Sequence, residues 1–181
     1  MLDAFSYEGG FALQCAANGA KAVAAVEISE SSAKMIGENA KLNQLDPLIS
    51  VVNQNAFDFL KNADAKKEGS TLPRSEAPYD LIILDPPSFT RNKETVPDAA
   101  RGYKEINLRA CKLPTQGGIL AKFCCSHHVD RDLFQEIIVD AATDAQRTLR
   151  LIASLGQSPD HPVLPAVPET EYLKGFLLEV I

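Results

Sequence analysis

The sequence predicts an α/β fold: a seven-stranded, mostly parallel sheet whose last strand is antiparallel, with helices on both faces. Three observations carry that expectation. Short apolar runs alternate with longer segments of helical periodicity up to about residue 147. Most of these runs stop abruptly at a polar residue, as strands of a buried parallel sheet do. The final two runs, 149–155 and 172–181, are joined by a proline-rich loop without a helix, so the last strand can return antiparallel.

Taken in order, residues 1–5 read as a strand that turns through Ser6-Tyr7-Glu8-Gly9-Gly10 into an apolar helix ending near Asn18-Gly19. Residues 21–26 form the second strand, closed by Glu27, and Ser29 offers an N-cap to a helix running to about residue 43. A third strand at 48–52 stops at Asn53-Gln54-Asn55, and residues 56–65 have helical spacing. Residues 66–78, polar and rich in charge and proline, read as a surface loop. The run 79–84, one aromatic and four aliphatic residues around Asp80, reads as a strand buried on both faces; Asp85 and two prolines end it, since proline cannot continue a ladder. A polar loop at 90–96 precedes a helix at 97–113 with Pro97 near its start. Gly117-Gly118 then turns into a fifth strand at 119–125, apolar apart from Lys122, and an amphipathic helix follows at 129–147 with Asp130 near its N-terminus.

A length of 181 residues suits one domain, 1–181, with a sizeable core. Because the chain opens directly on a core strand, with nothing to cover it, we expect a fragment that lacks an N-terminal portion. Apolar content of 45% with 23% charged residues is that of a soluble protein, and no apolar run reaches the length of a membrane span. Cys15, Cys111, Cys124 and Cys125 lack a disulfide spacing, which suits a reducing, cytoplasmic setting. Together with His127, His128 and His161 they give no zinc pattern, so no metal is expected. The net charge of −6 argues against a broad grip on nucleic acid phosphates; an RNA substrate would need further contacts to hold it. A homodimer is left open by the sequence.

In an open α/β sheet, ligands bind at the carboxyl edge of the strands. Asp85, held there by a rigid Pro86-Pro87 turn, is placed for chemistry as well as for a turn. Tyr7-Glu8-Gly9-Gly10 lacks the Gly-x-Gly-x-x-Gly fingerprint of dinucleotide sites, but its glycines let the backbone approach a ligand's amino-acid part. Glu27 can accept both hydroxyls of a ribose. Asn55 can present its side-chain oxygen to an adenine amino group, with the Ala56 amide near the ring, although a lone asparagine there is more often a helix cap. This set fits S-adenosylmethionine better than a dinucleotide, and the strand pattern is the one expected of a class I methyltransferase.

Cys124 and Cys125 end the fifth strand, beside Asp85 in the usual order of such sheets. Carbon 5 of a pyrimidine is too weakly nucleophilic to attack a methylsulfonium directly. A thiolate adding to carbon 6 makes it enamine-like, and a carboxyl on the N3 and exocyclic amine edge stabilises the adduct. Free cysteines are more often inert core residues, but a strand end ahead of a helix N-terminus favours a thiolate. Strand alternation lets only one of the two face the cleft.

Phe5-Ser6-Tyr7-Glu8-Gly9-Gly10-Phe11, Asp85-Pro86-Pro87-Ser88-Phe89, Arg101-Gly102-Tyr103-Lys104-Glu105-Ile106-Asn107, Cys125-Ser126, His161-Pro162-Val163 and Tyr172-Leu173-Lys174-Gly175-Phe176 together resemble the catalytic domain of the bacterial large-subunit ribosomal RNA cytosine-5 methyltransferase family. The resemblance covers nearly the whole chain. It implies a Rossmann-like methyltransferase domain, S-adenosylmethionine as donor, a donor site that includes Phe5, Ser6, Tyr7 and Gly9, and a nucleophilic cysteine at Cys125. It also implies an N-terminal RNA-binding domain in other members. Cys124 stands where serine is more usual, and Asn55 where aspartate is usual. Pro86, Pro87 and Phe89 would flank the base, and Arg101, Tyr103 and Lys104 would hold a flipped base and its phosphates, against the plainer reading of a solvated helix face.

Two other readings compete. Methylation of an amino group would use an Asp-Pro-Pro-aromatic motif and no cysteine, but here Ser88 intervenes before Phe89. A non-catalytic module would keep the fold as a scaffold or dimerisation unit.

Overall fold

The computed structural model describes residues 1–68, 79–90 and 92–181. Among these, seven strands form one sheet: β1 (Leu2–Ala4), β2 (Val23–Glu27), β3 (Ile49–Asn53), β4 (Tyr79–Leu84), β5 (Pro114–Cys124), β6 (Leu149–Leu155) and β7 (Lys174–Val180). Their spatial order is β3-β2-β1-β4-β5-β7-β6. The first five run parallel, and β7 is antiparallel to both of its neighbours. The expected fold class is therefore found. The sequence did not specify that β7 inserts between β5 and β6. Burial explains that order: β7 is almost wholly buried, whereas β6, carrying Arg150 and Ser154, is half-buried or exposed and takes the edge.

The helices α1 (Gly10–Ala17), α2 (Glu30–Leu42), α3 (Ala56–Glu68), α4 (Val96–Lys112) and α5 (Arg131–Asp144) divide between the two faces. Alternation along β4 shows the division. Ile82 and Leu84 join Leu60, Ile106, Phe134 and Ile138 under α3, α4 and α5, while Ile83 joins Ala12, Ile36 and Ala40 under α1 and α2. Caps follow the chemistry of the sequence: Ser29 Oγ accepts the Ser32 N–H at 3.3 Å and Asp130 accepts that of Leu133 at 2.8 Å.

Three local expectations change. Residues 66–68 continue α3 rather than starting a loop, and the rest of that expected loop lies outside the described residues. Gly117-Gly118 lies within β5, which begins at Pro114; Gly117 has φ +78° and the pairing with β4 shifts register near this point, so the glycines make an irregularity in a strand and not a turn before one. In β4, Ile82, Ile83 and Leu84 are buried, but Asp80 is exposed and Tyr79 and Leu81 are partly so; only the C-terminal half has cover on both faces.

Gly175 on β7 has a steric role. A Cβ there would lie 2.8 Å from two Phe123 ring carbons and 2.9 Å from Leu155 Cβ. Substituting Gly175→Ala is expected to lower unfolding free energy by about 2 kcal/mol, measured by urea denaturation, because ring and strand must both shift.

Candidate functional site

The carboxyl ends of β1, β2, β4 and β5 open into one cavity of about 700 Å³, with residues just after β3 also on its wall. The wall begins where β1 gives out. Phe5, Tyr7 and Gly9 all have positive φ, at 69°, 50° and 87°, and the Phe5 and Ser6 N–H groups both donate to the Val26 carbonyl, at 3.1 and 3.0 Å. This tight reversal places Phe5 and Tyr7 on the cavity wall. Ser6 and Gly9 sit behind it. The Ser6 hydroxyl donates to the Asp3 carbonyl at 2.8 Å, and at Gly9 a side chain would meet Ile36 at 3.1 Å in a left-handed conformation.

Glu27 ends β2 with its carboxylate oriented by two amides. Oε2 accepts the Tyr7 N–H and Oε1 the Ser29 N–H, both at 2.8 Å, which leaves lone pairs on each oxygen for a ligand. Asn55 also lines the cavity, and its Oδ1 accepts the Phe57 N–H at 2.8 Å, so it caps the start of α3 while its remaining acceptor and donor capacity stays available. Ala56, Phe57, Val26 and Ile28 supply apolar wall around these groups.

Across the cavity lie Asp85, Pro86, Pro87 and Phe89 from the loop after β4, with Cys125 from the end of β5. Cys125 is partly buried, and its Sγ approaches the Pro86 carbonyl at 3.8 Å. Cys124 is fully buried in the opposite core, as alternation requires. Burial raises the Cys125 thiol pKa, and Cys124 and Asp85 raise it further; burial alone raises that of Asp85.

Beneath this wall, Ser126 joins the two strand ends. Its Oγ lies 2.9 Å from Ser88 Oγ and 2.8 Å from the Tyr103 hydroxyl, and it accepts the Phe89 N–H at 3.2 Å. The loop that carries Asp85 is thereby tied to the segment that carries Cys125.

Within the Arg101, Tyr103 and Lys104 run, the expected role of Tyr103 needs correction. Tyr103 is fully buried, its ring 4.5 Å from that of Phe89 and 5.7 Å from that of Phe134, so it is a core strut that cannot stack on a base. None of the three lines the cavity. Arg101 pairs with Asp98 one turn away, and Lys104 reaches Asp144 on α5 at 2.9 Å. Helical spacing turns Tyr103 inward while its charged neighbours stay near the surface.

Sequence reasoning missed Tyr172 and Leu173 as cavity residues. The Tyr172 hydroxyl meets His161 Nδ1 at 2.9 Å, which ties the proline-rich loop to the rim; an aromatic immediately before an insertion strand was the available signal. Asp3 was missed too. It is buried under the β1 loop with Oδ2 accepting the Ala12 N–H at 3.0 Å and Oδ1 unpartnered, and burial raises its pKa to about 6.

The donor set discriminates between ligands. Among the described residues two carboxyl groups, Glu27 and Asp85, line the cavity and no lysine or arginine does, which disfavours a pyrophosphate and suits an adenosyl compound bearing positive charge. No group of three or more metal-ligating side chains occurs among the described residues, and no helix among them is long and apolar enough to cross a membrane.

A family model described as S-adenosylmethionine-dependent methyltransferase matches residues 1–178. The chain is 42% identical over 182 aligned residues to ribosomal RNA large subunit methyltransferase I of Salmonella arizonae, covering all of this chain and 43% of that protein. It is 40% identical to the protein of the same name from Cronobacter sakazakii, over 44% of its length. The chain thus spans less than half of the curated relatives it matches. Among solved structures, SMU.776 complexed with SAH superposes with a TM-score of 0.81 at 23% identity, over 99% of this chain and 44% of that one. Trm5b from Pyrococcus abyssi gives 0.66 at 16% identity, over 99% and 43%. Both share the fold.

Proposed function

Because the chain belongs to the S-adenosylmethionine-dependent methyltransferase family, we propose that it forms 5-methylcytosine in large-subunit ribosomal RNA through a covalent adduct with Cys125. The observation that carries this reading is the placement of Cys125 and Asp85 on one wall of the cavity whose other wall holds Glu27 and Asn55. The names of the relatives, ribosomal RNA large subunit methyltransferase I, support the RNA class.

S-adenosylmethionine, when bound, supplies an electrophilic methyl group and a positive charge. Glu27 would accept its ribose hydroxyls, and Asn55 and the Ala56 backbone would meet its adenine. The loop of Phe5 and Tyr7 would border its amino-acid part. On the other wall, the Cys125 thiolate adds to carbon 6 of the cytosine. The ring electron pair moves onto N3, where Asp85, its pKa raised by burial, can hold a proton against the developing charge. Once carbon 5 carries the methyl group, its proton leaves to a base, the C6–Sγ bond breaks and the thiolate returns. Pro86, Pro87 and Phe89 would wall the base, and Ser126 keeps both strand ends in register.

The test uses the 181-residue chain, labelled S-adenosylmethionine and large-subunit RNA lacking the modification. Labelled 5-methylcytosine in the nucleoside digest is expected, together with a stable protein adduct on 5-fluorocytidine RNA that maps to Cys125, since fluorine at carbon 5 blocks the final elimination. Labelled N-methyl nucleosides with no adduct would replace the proposal by direct amino-group transfer, and absence of S-adenosylmethionine binding in calorimetry would leave a scaffold. With a net charge of −6 the 181 residues are expected to make few phosphate contacts and hold RNA weakly, so turnover should be slow and only weakly dependent on salt. In the same calorimetry, Glu27→Ala is expected to weaken S-adenosylmethionine binding about 10- to 100-fold, because it removes both the ribose acceptor and the anchor of the Tyr7 N–H.

A further inference from the structure

The first residue of β7 is a cation that the mechanism above does not use. Lys174 is 3% exposed and lies directly across the β5–β7 pairing from Cys124. Its Nζ donates to the carbonyl of Ser126, the residue after Cys125, at 2.7 Å, and to the carbonyl of Tyr172 at 3.1 Å. Two of three ammonium donors are thus satisfied, both by neutral acceptors. Among the described residues no carboxylate pairs with it: Glu171, the nearest acid along the chain, is held by Arg131 at 2.8 Å. A buried ammonium without a counter-ion is unfavourable unless an anion is present or forms beside it.

The groups facing this position come from four other elements and connections. Cys124 ends β5 and Cys125 follows it, Asp85 follows β4, Tyr103 on α4 reaches Ser126, and Arg131 begins α5 and lies over the Phe176 ring. His127 and His128 continue the chain beyond Ser126. Asp85 opposes a negative charge on sulfur. Arg131 spends its charge on Glu171. Lys122 on β5 is also fully buried, but its Nζ donates to Cys111 Sγ at 3.1 Å; Lys174 is the buried cation bonded to the segment that carries the cysteine pair.

We infer that Lys174 is a positioning residue for the methyl transfer: its buried ammonium is the counter-charge that stabilises the Cys125 thiolate, while its bonds to the Ser126 and Tyr172 carbonyls fix the sulfur's strand end against the cavity rim. The inference rests on the reading of Cys125 as nucleophile and adds the group that makes its ionised form accessible. Electrostatics agrees in sign. Lys174 opposes the rise that burial imposes on the Cys125 thiol, and the two cysteines oppose the fall that burial imposes on Lys174.

The experiment follows thiol ionisation and needs neither RNA nor cofactor, so it can fail independently of the methylation assay. Rates of iodoacetamide alkylation at Cys125, assigned by tandem mass spectrometry, are measured against pH for the parent chain, Lys174→Gln and Lys174→Arg. Lys174→Gln keeps an N–H donor for the carbonyls but removes the charge. Its midpoint is expected to rise by about one pH unit or more, with Lys174→Arg staying near the parent. A reciprocal measurement stands if Lys174→Gln does not fold: in Cys125→Ala the Lys174 side chain, followed by carbon-13 NMR at Cε, is expected to titrate at lower pH than in the parent. An unchanged alkylation profile in folded Lys174→Gln, or an unchanged Lys174 midpoint in Cys125→Ala, would overturn the inference.

Discussion

Replacing Cys125 with alanine is expected to reduce 5-methylcytosine formation by roughly four orders of magnitude while leaving S-adenosylmethionine affinity within about twofold. The size follows from the chemistry: without a thiolate at carbon 6, carbon 5 has no route to an enamine-like state. The selectivity follows from the geometry, because Cys125 stands on the Asp85 side of the cavity and the groups proposed for the adenosine lie opposite. Cys124→Ala provides the matched control. That side chain is fully buried among core residues, so its loss is expected to lower stability by about 1 kcal/mol and to leave adduct formation intact. The check is single-turnover transfer from labelled donor, with calorimetry for affinity and trapping on 5-fluorocytidine RNA for the adduct. Retained methylation in Cys125→Ala would exclude the covalent route; loss of trapping in Cys124→Ala with retention in Cys125→Ala would move the nucleophile one position back.

The contrast between these neighbours shows what was legible in the sequence. A strand's period of two places Cys124 and Cys125 on opposite faces, and the run from Tyr79 to Leu84 ending in Asp85-Pro86-Pro87 marks both a buried strand and its ligand edge. The place of Glu27 on the cavity wall was readable for the same reason, since polar residues closing apolar strands collect at one edge. What failed on α4 was the inference for Tyr103. Arg101, Tyr103 and Lys104 are adjacent in sequence, but consecutive helical positions point about 100° apart, so the tyrosine enters the core between Phe89 and Phe134 while the cations pair with surface acids. The position of β7 between β5 and β6 was hidden as well. It depends on tertiary pairing, and that pairing carries Lys174 to the cysteine pair from about fifty residues away in sequence.

Asp3→Asn is expected to be more stable than the parent at pH 7.5 by up to about 3 kcal/mol, with the advantage fading as pH falls to about 4. Asp3 is 1% exposed; one carboxylate oxygen has the Ala12 N–H and the other has no partner. Burial, reinforced by Asp85 and Glu27, raises its pKa from 3.8 to about 6 in the fold, against the smaller opposing effect of its hydrogen bonds. Between these two values the folded chain holds a proton that the unfolded chain has released, so stability falls as pH rises through this window. Above about 6 the folded state carries the full unfavourable charge; below about 3.8 both states are protonated and the contribution vanishes. Asparagine keeps the acceptor for Ala12 and never ionises, so the difference between the two proteins isolates this one group from every other titration. Urea unfolding of both at pH 4.5, 6 and 7.5 is the measurement. A constant difference across that range would mean that Asp3 does not titrate there, and that the loop carrying Phe5 and Tyr7 is held over a carboxylate whose charge is compensated by groups other than those that touch it.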